Sequence, residues 1–338
     1  MESIELIKKL SNTPGVSGDE GKVREILKDE IKEYADKIAT DSLGNLVALK
    51  GMEKKEPKIM LNAHMDEIGL IIDHINKDGF LQFKKVGGID DRVLLGKRVL
   101  IGEKEIKGVI GAKAIHLQEV DERKKSIKST ELYIDIGTKN MEEAESLVPR
   151  GSFASFDTKF EEITENKFIG KAFDDRLGCA IIVDLLRQNY NVPIIALFST
   201  QEEIGLRGAA VGAHQYTPDI SITIEGTISA DLPEVPDHLK CSKLGHGPVV
   251  TVKDRGVITD NELRDKLIST AKQNKIPYQF KQVLAGGTDS YRIQTTKKGV
   301  KVLTVAVPVR YIHSPVSLFF REDYINTFKL LSKFLKKF

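Results

Sequence analysis

Apolar residues follow a helical and then a strand-like spacing in the first 66 residues of the chain. An apolar residue recurs every three or four positions between 23 and 34, which predicts an amphipathic helix. The runs 45–50 and 58–63 are apolar and rich in β-branched residues, which predicts two strands. This stretch therefore has an α/β pattern, but it holds too few strands to complete a sheet by itself.

The pattern changes between about 67 and 165, where short β-type runs are separated by glycine and turn residues. Such spacing is typical of a small barrel or sandwich. The charged segment 118–129 interrupts it and is read as a solvated surface or, alternatively, a mobile loop. The predicted runs are GFLQF, KRVLIG, KEIKGVIG, ELYIDIG and GSFASF.

The α/β pattern returns from about residue 166 to the end of the chain. Apolar runs predict strands at 192–198, 220–224 and 302–307, and helices follow Asp174 and begin near Glu322. The simplest architecture is a mixed-sheet α/β domain built from 1–66 plus 166–338, with the β-rich stretch 67–165 inserted into it.

Two sequence patterns predict where helices begin. Ser17 with Glu20, and Thr259 with Glu262, each have the spacing of a capping box, in which a hydroxyl and a carboxylate satisfy the free amides of a first helical turn. We therefore expect one helix to start after Ser17 and another after Thr259.

Composition excludes several classes of protein. Among 338 residues, 51 are basic and 49 acidic, and the resulting net charge of +2 lacks the concentrated basic field of a nucleic-acid or membrane-surface protein. No apolar run approaches the length of a membrane span, and the N-terminus lacks a signal-peptide pattern, so we expect a cytoplasmic protein. Cys179 and Cys241 are too few and too far apart to predict a disulfide framework or a thiolate metal site.

Potential metal ligands stand close to predicted strand ends. Each has a plain structural alternative when taken alone, such as a hydrogen-bonded loop histidine, a helix-capping aspartate or a solvated acid. In the pair Glu202-Glu203, adjacent side chains point in different directions, so one is free to bind a metal while the other acts as a base. The candidates are His64 with Asp66 two residues on, Asp174, Glu202, Glu203, Glu225 and His313.

Taken together, these residues favour a shared site. In open α/β sheets, sites form at the carboxyl ends of the strands. Two histidines and three carboxylates suit two Zn²⁺, Co²⁺ or Mn²⁺ ions, with Asp174 serving both because a carboxylate has two oxygens. Paired metals activate water and polarise a carbonyl, which predicts a hydrolase.

The motifs NAHMDEIG, AFDDRLG, QEEIGLRGA and RYIHSP, in this order, resemble those of the M42 metallo-aminopeptidases, a family related to glutamyl aminopeptidases and to large tetrahedral aminopeptidases. The resemblance runs over nearly the whole chain. It implies a phosphorylase/hydrolase-like metallopeptidase domain, and a barrel-like insertion that serves in dimer contact and in assembly up to dodecamers. It also implies two divalent ions per subunit and hydrolysis of the N-terminal residue from short peptides by a metal-bridging water.

Carried over onto this sequence, the resemblance implies a role for each residue. His64, Asp174 and Glu225 would hold one metal, and Asp174, Glu203 and His313 the other. Glu202 would be the general base, and Asp66 would support His64. The choice of Asp174 over Asp175 rests on the family pattern alone.

Three alternatives to an aminopeptidase remain open from the sequence: an amide hydrolase of the same metal geometry, such as a deacylase; a cellulase, as some family members are labelled; and a non-catalytic peptide-binding or assembly protein. The absence of tryptophan weighs against a polysaccharide cleft, and the complete ligand set weighs against a non-catalytic protein. The resemblance implies that the loop Gly286-Gly287-Thr288-Asp289 lies near the site; alternatively, it is a plain turn in which Thr288 caps a helix. Arg310 is poor evidence for a glutamyl preference because it belongs to the general RYIHSP pattern.

Overall fold

One large sheet, one closed barrel and a small third sheet make up the fold in this computed structural model, which describes residues 2–284 and 286–338. The helices are α1 Glu2–Asn12, α2 Gly21–Ile31, α3 Met141–Leu147, α4 Phe173–Leu186, α5 Arg207–Tyr216, α6 Asn261–Gln273, α7 Ser290–Gln294 and α8 Arg321–Leu335. The strands are β1 Lys37–Thr40, β2 Leu46–Lys50, β3 Ile59–His64, β4 Gly69–Ile75, β5 Leu81–Val86, β6 Arg98–Ile101, β7 Ile106–Gly111, β8 Tyr133–Asp135, β9 Phe153–Phe156, β10 Glu161–Thr164, β11 Lys167–Gly170, β12 Ile194–Ser199, β13 Ile220–Ile228, β14 Val249–Thr251, β15 Gln279–Phe280, β16 Lys301–Val309 and β17 Ser317–Phe320.

The large sheet has eight strands in the order β1-β2-β12-β3-β13-β16-β14-β15. Its four central strands, β12, β3, β13 and β16, run parallel, while β2 and β14 flank them antiparallel. Helix α4 packs on one face with α1, α2 and α8 nearby, and α5 and α7 cover the other face. The predicted α/β class and mixed sheet are confirmed, and the central strands are buried on both faces, as their continuous apolar sequences require.

The middle stretch of the chain forms a closed barrel in the order β4-β5-β8-β7-β6-β9. All five of the predicted β-type runs lie on its strands, and their inward side chains form a separate apolar core. The barrel strands span 69–156, and β10 already pairs with β11 in the third sheet. The domain boundaries at 66/67 and 165/166 stay predictions. Segment 118–129 is mostly exposed in the single chain.

Both capping predictions are wrong in detail. The Ser17 hydroxyl donates to Asp66 at 2.5 Å instead of capping α2, and no side chain caps that helix. Helix α6 is capped by Asp260, whose side chain accepts from Leu263 N, while Thr259 donates to the carbonyl of Thr251. In each case a tertiary hydrogen bond uses the hydroxyl that the local pattern assigned to a cap.

The strand before Glu225 is longer than predicted. Strand β13 continues to Ile228 because it stays paired with β16 along its whole length, so Glu225 lies within the strand and not after it. Its pairing with β3 on the other side stops at Thr223. If this register is continued, Glu225 stands level with His64, the last residue of β3, just past the point where the two parallel strands stop pairing.

Cys179 and Cys241 are both buried free thiols. Within residues 2–284 and 286–338, no helix is long and apolar enough to cross a membrane.

Candidate metal centre and active-site cavity

The candidate ligands converge at the carboxyl edge of the parallel strands. His64 is the last residue of β3, and Glu202 and Glu203 follow the end of β12 by a few residues. Because β3 and β12 are parallel and in register up to the pair His64 and Ser199, their ends lie side by side. Asp174 reaches the same edge from the start of α4.

Asp174 lies between the two histidines. Its Oδ1 is 3.3 Å from His64 Nε2, and its Oδ2 is 3.8 Å from His313 Nε2. The two oxygens of one carboxylate thus face two different imidazoles. This is the arrangement that a ligand shared by two metal ions requires.

Each histidine also has a carboxylate of its own. Glu225 Oε2 lies 3.8 Å from His64 Nε2, and Glu203 Oε1 lies 3.6 Å from His313 Nε2. The groups His64–Asp174–Glu225 and Asp174–Glu203–His313 each offer three ligand atoms within 4.8 Å of one another. A third such group, His64 with Glu202 and Glu203, overlaps them, so proximity alone does not separate Glu202 from the ligands.

Backbone carbonyls orient both imidazoles. His64 Nδ1 lies 3.1 Å from the carbonyl oxygen of Asp66, and His313 Nδ1 lies 2.9 Å from that of Gly88 in the barrel stretch. A carbonyl can only accept, so each Nδ1 carries the proton and each Nε2 presents its lone pair to the acidic cluster. Asp66 does lie beside His64, but its carboxylate is further away, at 3.4 Å.

The carboxylate of Asp66 mainly organises the Glu202-Glu203 turn. It is fully buried and accepts the backbone N–H of Glu202 at 3.0 Å and that of Glu203 at 3.1 Å. The Ser17 hydroxyl donates to the same group. Asp66 therefore fixes the backbone that carries both glutamates, a role that the sequence did not indicate.

The residues fit a pair of divalent cations. Asp174 Oδ1 and Glu225 Oε1 are buried without a hydrogen-bond partner, which is costly for a carboxylate unless a cation neutralises it. Burial raises the pKa of Glu203 to about 7 and that of Glu225 well above its usual range, and neighbouring carboxylates add to both shifts. Two imidazole nitrogens and three carboxylates suit Zn²⁺, Co²⁺ or Mn²⁺.

Asp174 and Asp175, which the sequence alone did not distinguish, have different surroundings. The peptide bond between them is cis. Asp175 is fully buried and accepts from His64 N at 3.2 Å and from Gly178 N at 3.0 Å, so it faces the protein interior. Asp175 anchors the end of β3 to the start of α4, and only Asp174 faces both histidines.

The sequence indicated the loop that carries Asp289 but not the contacts of its buried carboxylate. Asp289 accepts from Ser199 at 2.5 Å and from Asn62 at 3.0 Å, so it ties the ends of β12 and β3 together. The Gly-Thr-Asp motif pointed to this loop. However, Thr288 does not cap α7, because its hydroxyl donates to Asp254.

Several loops of the site have non-glycine residues in the left-handed region. Ala172 (φ +56°), Gln201 (φ +57°) and His313 (φ +57°) each stand at or within two residues of a candidate ligand or Glu202. A left-handed conformation costs such residues roughly 1–3 kcal/mol, and it persists only where surrounding contacts enforce it. Contacts with the rest of the fold therefore hold these loops in strained conformations next to the candidate ligands.

A cavity of about 970 Å³ opens onto this cluster. His64, Asp174, Glu202, Glu203, Glu225 and His313 all line it. Gly286, Gly287 and Thr288 line it too, so the Gly-Thr-Asp loop is part of the same cavity, as expected.

The family model described as M42 glutamyl aminopeptidase matches residues 44–330 of this chain, a stretch that contains all the residues of this cluster. The chain belongs to the M42 aminopeptidase family. This membership confirms the resemblance drawn from the motifs and, with it, an enzyme of the aminopeptidase class. The domain boundaries and the role of each M42 site residue remain proposals.

Relatives of this M42 chain include a lysyl aminopeptidase of Pyrococcus furiosus, 34% identical over 98% of this chain and 96% of that protein. Among solved structures, a TET aminopeptidase from a marine sediment archaeon of the Thaumarchaeota has a TM-score of 0.96 at 35% identity, over 99% of this chain and 96% of the other. The Pyrococcus horikoshii TET1 peptidase, described as assembling into a tetrahedron or a large octahedral shell, has a TM-score of 0.89 at 36% identity, over 99% and 100%.

One similar structure carries a different name. A protein of Thermotoga maritima described as an endoglucanase has a TM-score of 0.82 at 36% identity, over 98% of this M42 chain and 96% of that chain. The names of similar proteins thus include both peptidases and an endoglucanase. The substrate class of this chain has to be argued from the residues of its own cavity.

Proposed function

We propose that this protein is an aminopeptidase that removes the N-terminal residue from short peptides with the help of two divalent metal ions. The position of Asp174 carries the proposal, because its two oxygens face His64 and His313 separately. His64, Asp174 and Glu225 would hold one ion, and Asp174, Glu203 and His313 the other. When bound, such ions act as Lewis acids and lower the pKa of water.

Glu202 is the proposed general base. It lines the cavity next to the ligand cluster, and burial together with the nearby carboxylates raises the pKa of its side chain well above the usual range. A raised pKa makes this carboxylate a stronger base, so it accepts a proton from water more readily than an ordinary glutamate does. Glu202 would take a proton from the attacking water and pass it to the leaving amine, while Asp66 holds its backbone in place.

An amide substrate fits the cavity better than a polysaccharide does. Sugar-binding clefts rely on exposed aromatic rings, but Tyr291 is the single aromatic residue among the described residues that line this cavity. A deacylase would share the metal geometry, and a substrate with a blocked α-amine distinguishes it from an aminopeptidase.

A homo-oligomer is part of the proposal. The barrel stretch exposes large apolar side chains, among them Ile115 (69%), Leu117 (63%) and Val120 (66%), which suits burial against other copies of the chain. The description of the P. horikoshii TET1 peptidase as assembling into a tetrahedron or a large octahedral shell supports the same view. Sedimentation of the purified protein as a monomer would contradict it. A cytoplasmic location remains part of the proposal.

Metal analysis combined with the Glu202→Gln variant tests the chemistry. The wild-type protein is expected to bind about two divalent ions per chain and to hydrolyse leucyl 4-nitroanilide but not its N-acetyl derivative. Glu202→Gln should keep the ions and lose at least about 100-fold in kcat, the scale of a missing general base. Glu145→Gln, on an exposed helix of the barrel stretch, is the control. Full activity of Glu202→Gln would disprove the role of Glu202, and faster cleavage of the acetylated substrate would favour a deacylase.

A further inference from the structure

The cavity wall carries two cations that the metal centre does not use. Arg255 and Lys281 both line the cavity, whereas its acidic lining residues are all members of the proposed metal and base set: Asp174, Glu202, Glu203 and Glu225. Within residues 2–284 and 286–338, neither cationic side chain makes a hydrogen bond or an ion pair. With two divalent ions balancing the four carboxylates, the rest of the cavity has an excess of positive charge.

Arg310, the cation that the sequence drew attention to, is already neutralised. Its guanidinium donates from two nitrogens to Asp231, at 2.9 and 2.8 Å. This bidentate pair ties the loop before His313 to the end of the β13 region. Arg310 is therefore a structural residue, and the two unpaired cations lie elsewhere.

The cavity runs along the sheet from the ligands toward these cations. Ala306 and Thr304 of β16 line it, and in register they stand beside Glu225 and Thr223 of β13. Thr251 of β14 pairs with Thr304 and also lines the cavity. Two residues along a strand span about 7 Å, so the lining covers about that length of β16 between Ala306 and Thr304.

The segment that carries Arg255 is well ordered. Asp254 is fully buried, and its carboxylate accepts the backbone N–H groups of Gly256 and Val257 at 2.8 and 2.7 Å, and the Thr288 hydroxyl at 3.3 Å. The N–H of Arg255 itself donates to the carbonyl of Gly286. This turn is thereby joined to the Gly-Thr-Asp loop, which lines the same cavity.

Lys281 lines the same cavity from the neighbouring strand. It directly follows β15, which runs parallel to β14, so Lys281 and the 254–257 turn both follow strands that end at the same edge of the sheet. The N–H of Lys281 donates to the carbonyl of Val250 in β14 at 3.0 Å. Two cations on anchored backbone form a prepared receptor for a carboxylate.

We propose that Arg255 and Lys281 bind the side-chain carboxylate of the substrate's first residue, so that this enzyme prefers an N-terminal glutamate or aspartate. The inference rests on the proposed aminopeptidase function. Similarity does not decide the preference, because the family description names glutamyl substrates while the P. furiosus relative is named for lysyl ones. The two cations also disfavour lysyl and arginyl substrates by repulsion.

Kinetics with matched substrates test this receptor. We expect kcat/KM for glutamyl 4-nitroanilide to exceed that for the isosteric glutaminyl anilide about tenfold or more, the effect of a charge-assisted hydrogen bond. Arg255→Gln and Lys281→Gln should each lower this ratio, and Lys281→Glu should shift the preference toward lysyl anilide. Lys253→Gln removes an exposed charge from the same segment without touching the cavity and should leave the ratio unchanged.

Two results would overturn the proposal. One is equal cleavage of glutamyl and glutaminyl anilides by the wild type, or a ratio that both variants leave intact. The other concerns the dipeptide leucyl-glycine and its C-terminal amide. If the Arg255 and Lys281 variants cleave leucyl-glycine more slowly than the wild type but cleave the amide at the wild-type rate, the two cations bind the peptide's terminal carboxylate instead. If the metal-loaded wild type cleaves no aminoacyl anilide at all, the aminopeptidase function fails instead.

Discussion

A methyl group on Gly226 would lie 2.9 Å from the Cα of Asp174, so strand β13 and the shared ligand touch backbone to backbone. The neighbour is main chain and cannot rotate away as a flexible side chain would. We therefore expect Gly226→Ala to displace Asp174 and to lower the metal content below two ions per chain, measured by elemental analysis after gel filtration. Gly21→Ala, where the added carbon meets only an arginine side-chain tip at 3.6 Å, should keep its metal. Full metal occupancy in Gly226→Ala would show that the close approach is unimportant.

Asp66→Asn should reduce turnover without unfolding the protein. An amide has one oxygen, so it cannot accept both backbone N–H groups of the Glu202-Glu203 turn and also satisfy Ser17. Loss of such a supporting partner typically costs about 10–100-fold in activity or metal affinity. Steady-state kinetics and metal titration measure the effect, with Asp73→Asn on the exposed side of the barrel as the control. An unchanged kcat would mean that the Glu202-Glu203 turn keeps its conformation without the carboxylate of Asp66.

Lys171→Met should strongly destabilise the protein. Lys171 and Glu67 are both 2% exposed and lie 2.6 Å apart, so removal of the lysine leaves the buried carboxylate with only the more distant guanidinium of Arg176, at 3.7 Å, as a cationic partner. Breaking a buried pair costs up to about 3–5 kcal/mol when no other cation compensates, and Arg176 should hold the loss toward the lower end of that range. Chemical denaturation would measure the loss, and adding Glu67→Gln should recover part of it.

The exposed pair Lys22–Glu105 provides the contrast. Its side chains are 47% and 43% exposed, so Lys22→Met should cost less than about 1 kcal/mol. Equal losses for Lys22→Met and Lys171→Met would contradict the importance of burial.

Asp323 is expected to make stability depend on pH. Burial raises the pKa of its carboxyl from 3.8 to about 6, although the N–H groups of Gly245 and Gly247 each donate to it at 2.7 Å. Between pH 4 and pH 6 the carboxyl of Asp323 is therefore protonated in the folded state and ionised in the unfolded state. The free energy of unfolding then falls as the pH rises from about 4 to 6. Two pKa units correspond to roughly 3 kcal/mol.

The Asp323→Asn variant isolates this effect, because it cannot titrate. Its melting temperature relative to the wild type should rise between pH 4 and pH 7, measured by calorimetry on both proteins in the same buffers. A difference that stays constant across this range would show that Asp323 does not titrate there.

The strands and the order of the motifs were predictable because they are local properties. Runs of β-branched residues identified the central strands and the barrel strands, and strand ends located His64 and the Glu202-Glu203 pair. Parallel pairing then brings such ends together without further information.

Contacts between segments that are distant in the chain could not be predicted from the sequence. Ser17 bonds to Asp66, which is 49 residues away, and so does not cap its helix. Glu225 was placed after its strand because nothing local reveals that β13 stays paired with β16. Arg255 and Lys281 stand in unremarkable segments, and only the pairing of β14 with β15 brings them to one wall.

Through the carbonyl of Gly88, the barrel stretch also orients a side chain of the candidate metal centre. His313 is 225 residues away in the chain, yet its ring is oriented by this one oxygen. A chain whose inserted stretch has not yet closed lacks that acceptor, so its second imidazole has no fixed direction. Maturation of the reactive centre is thereby coupled to completion of the insertion. Replacing the barrel stretch with a short linker would remove the acceptor that orients one of the two imidazoles.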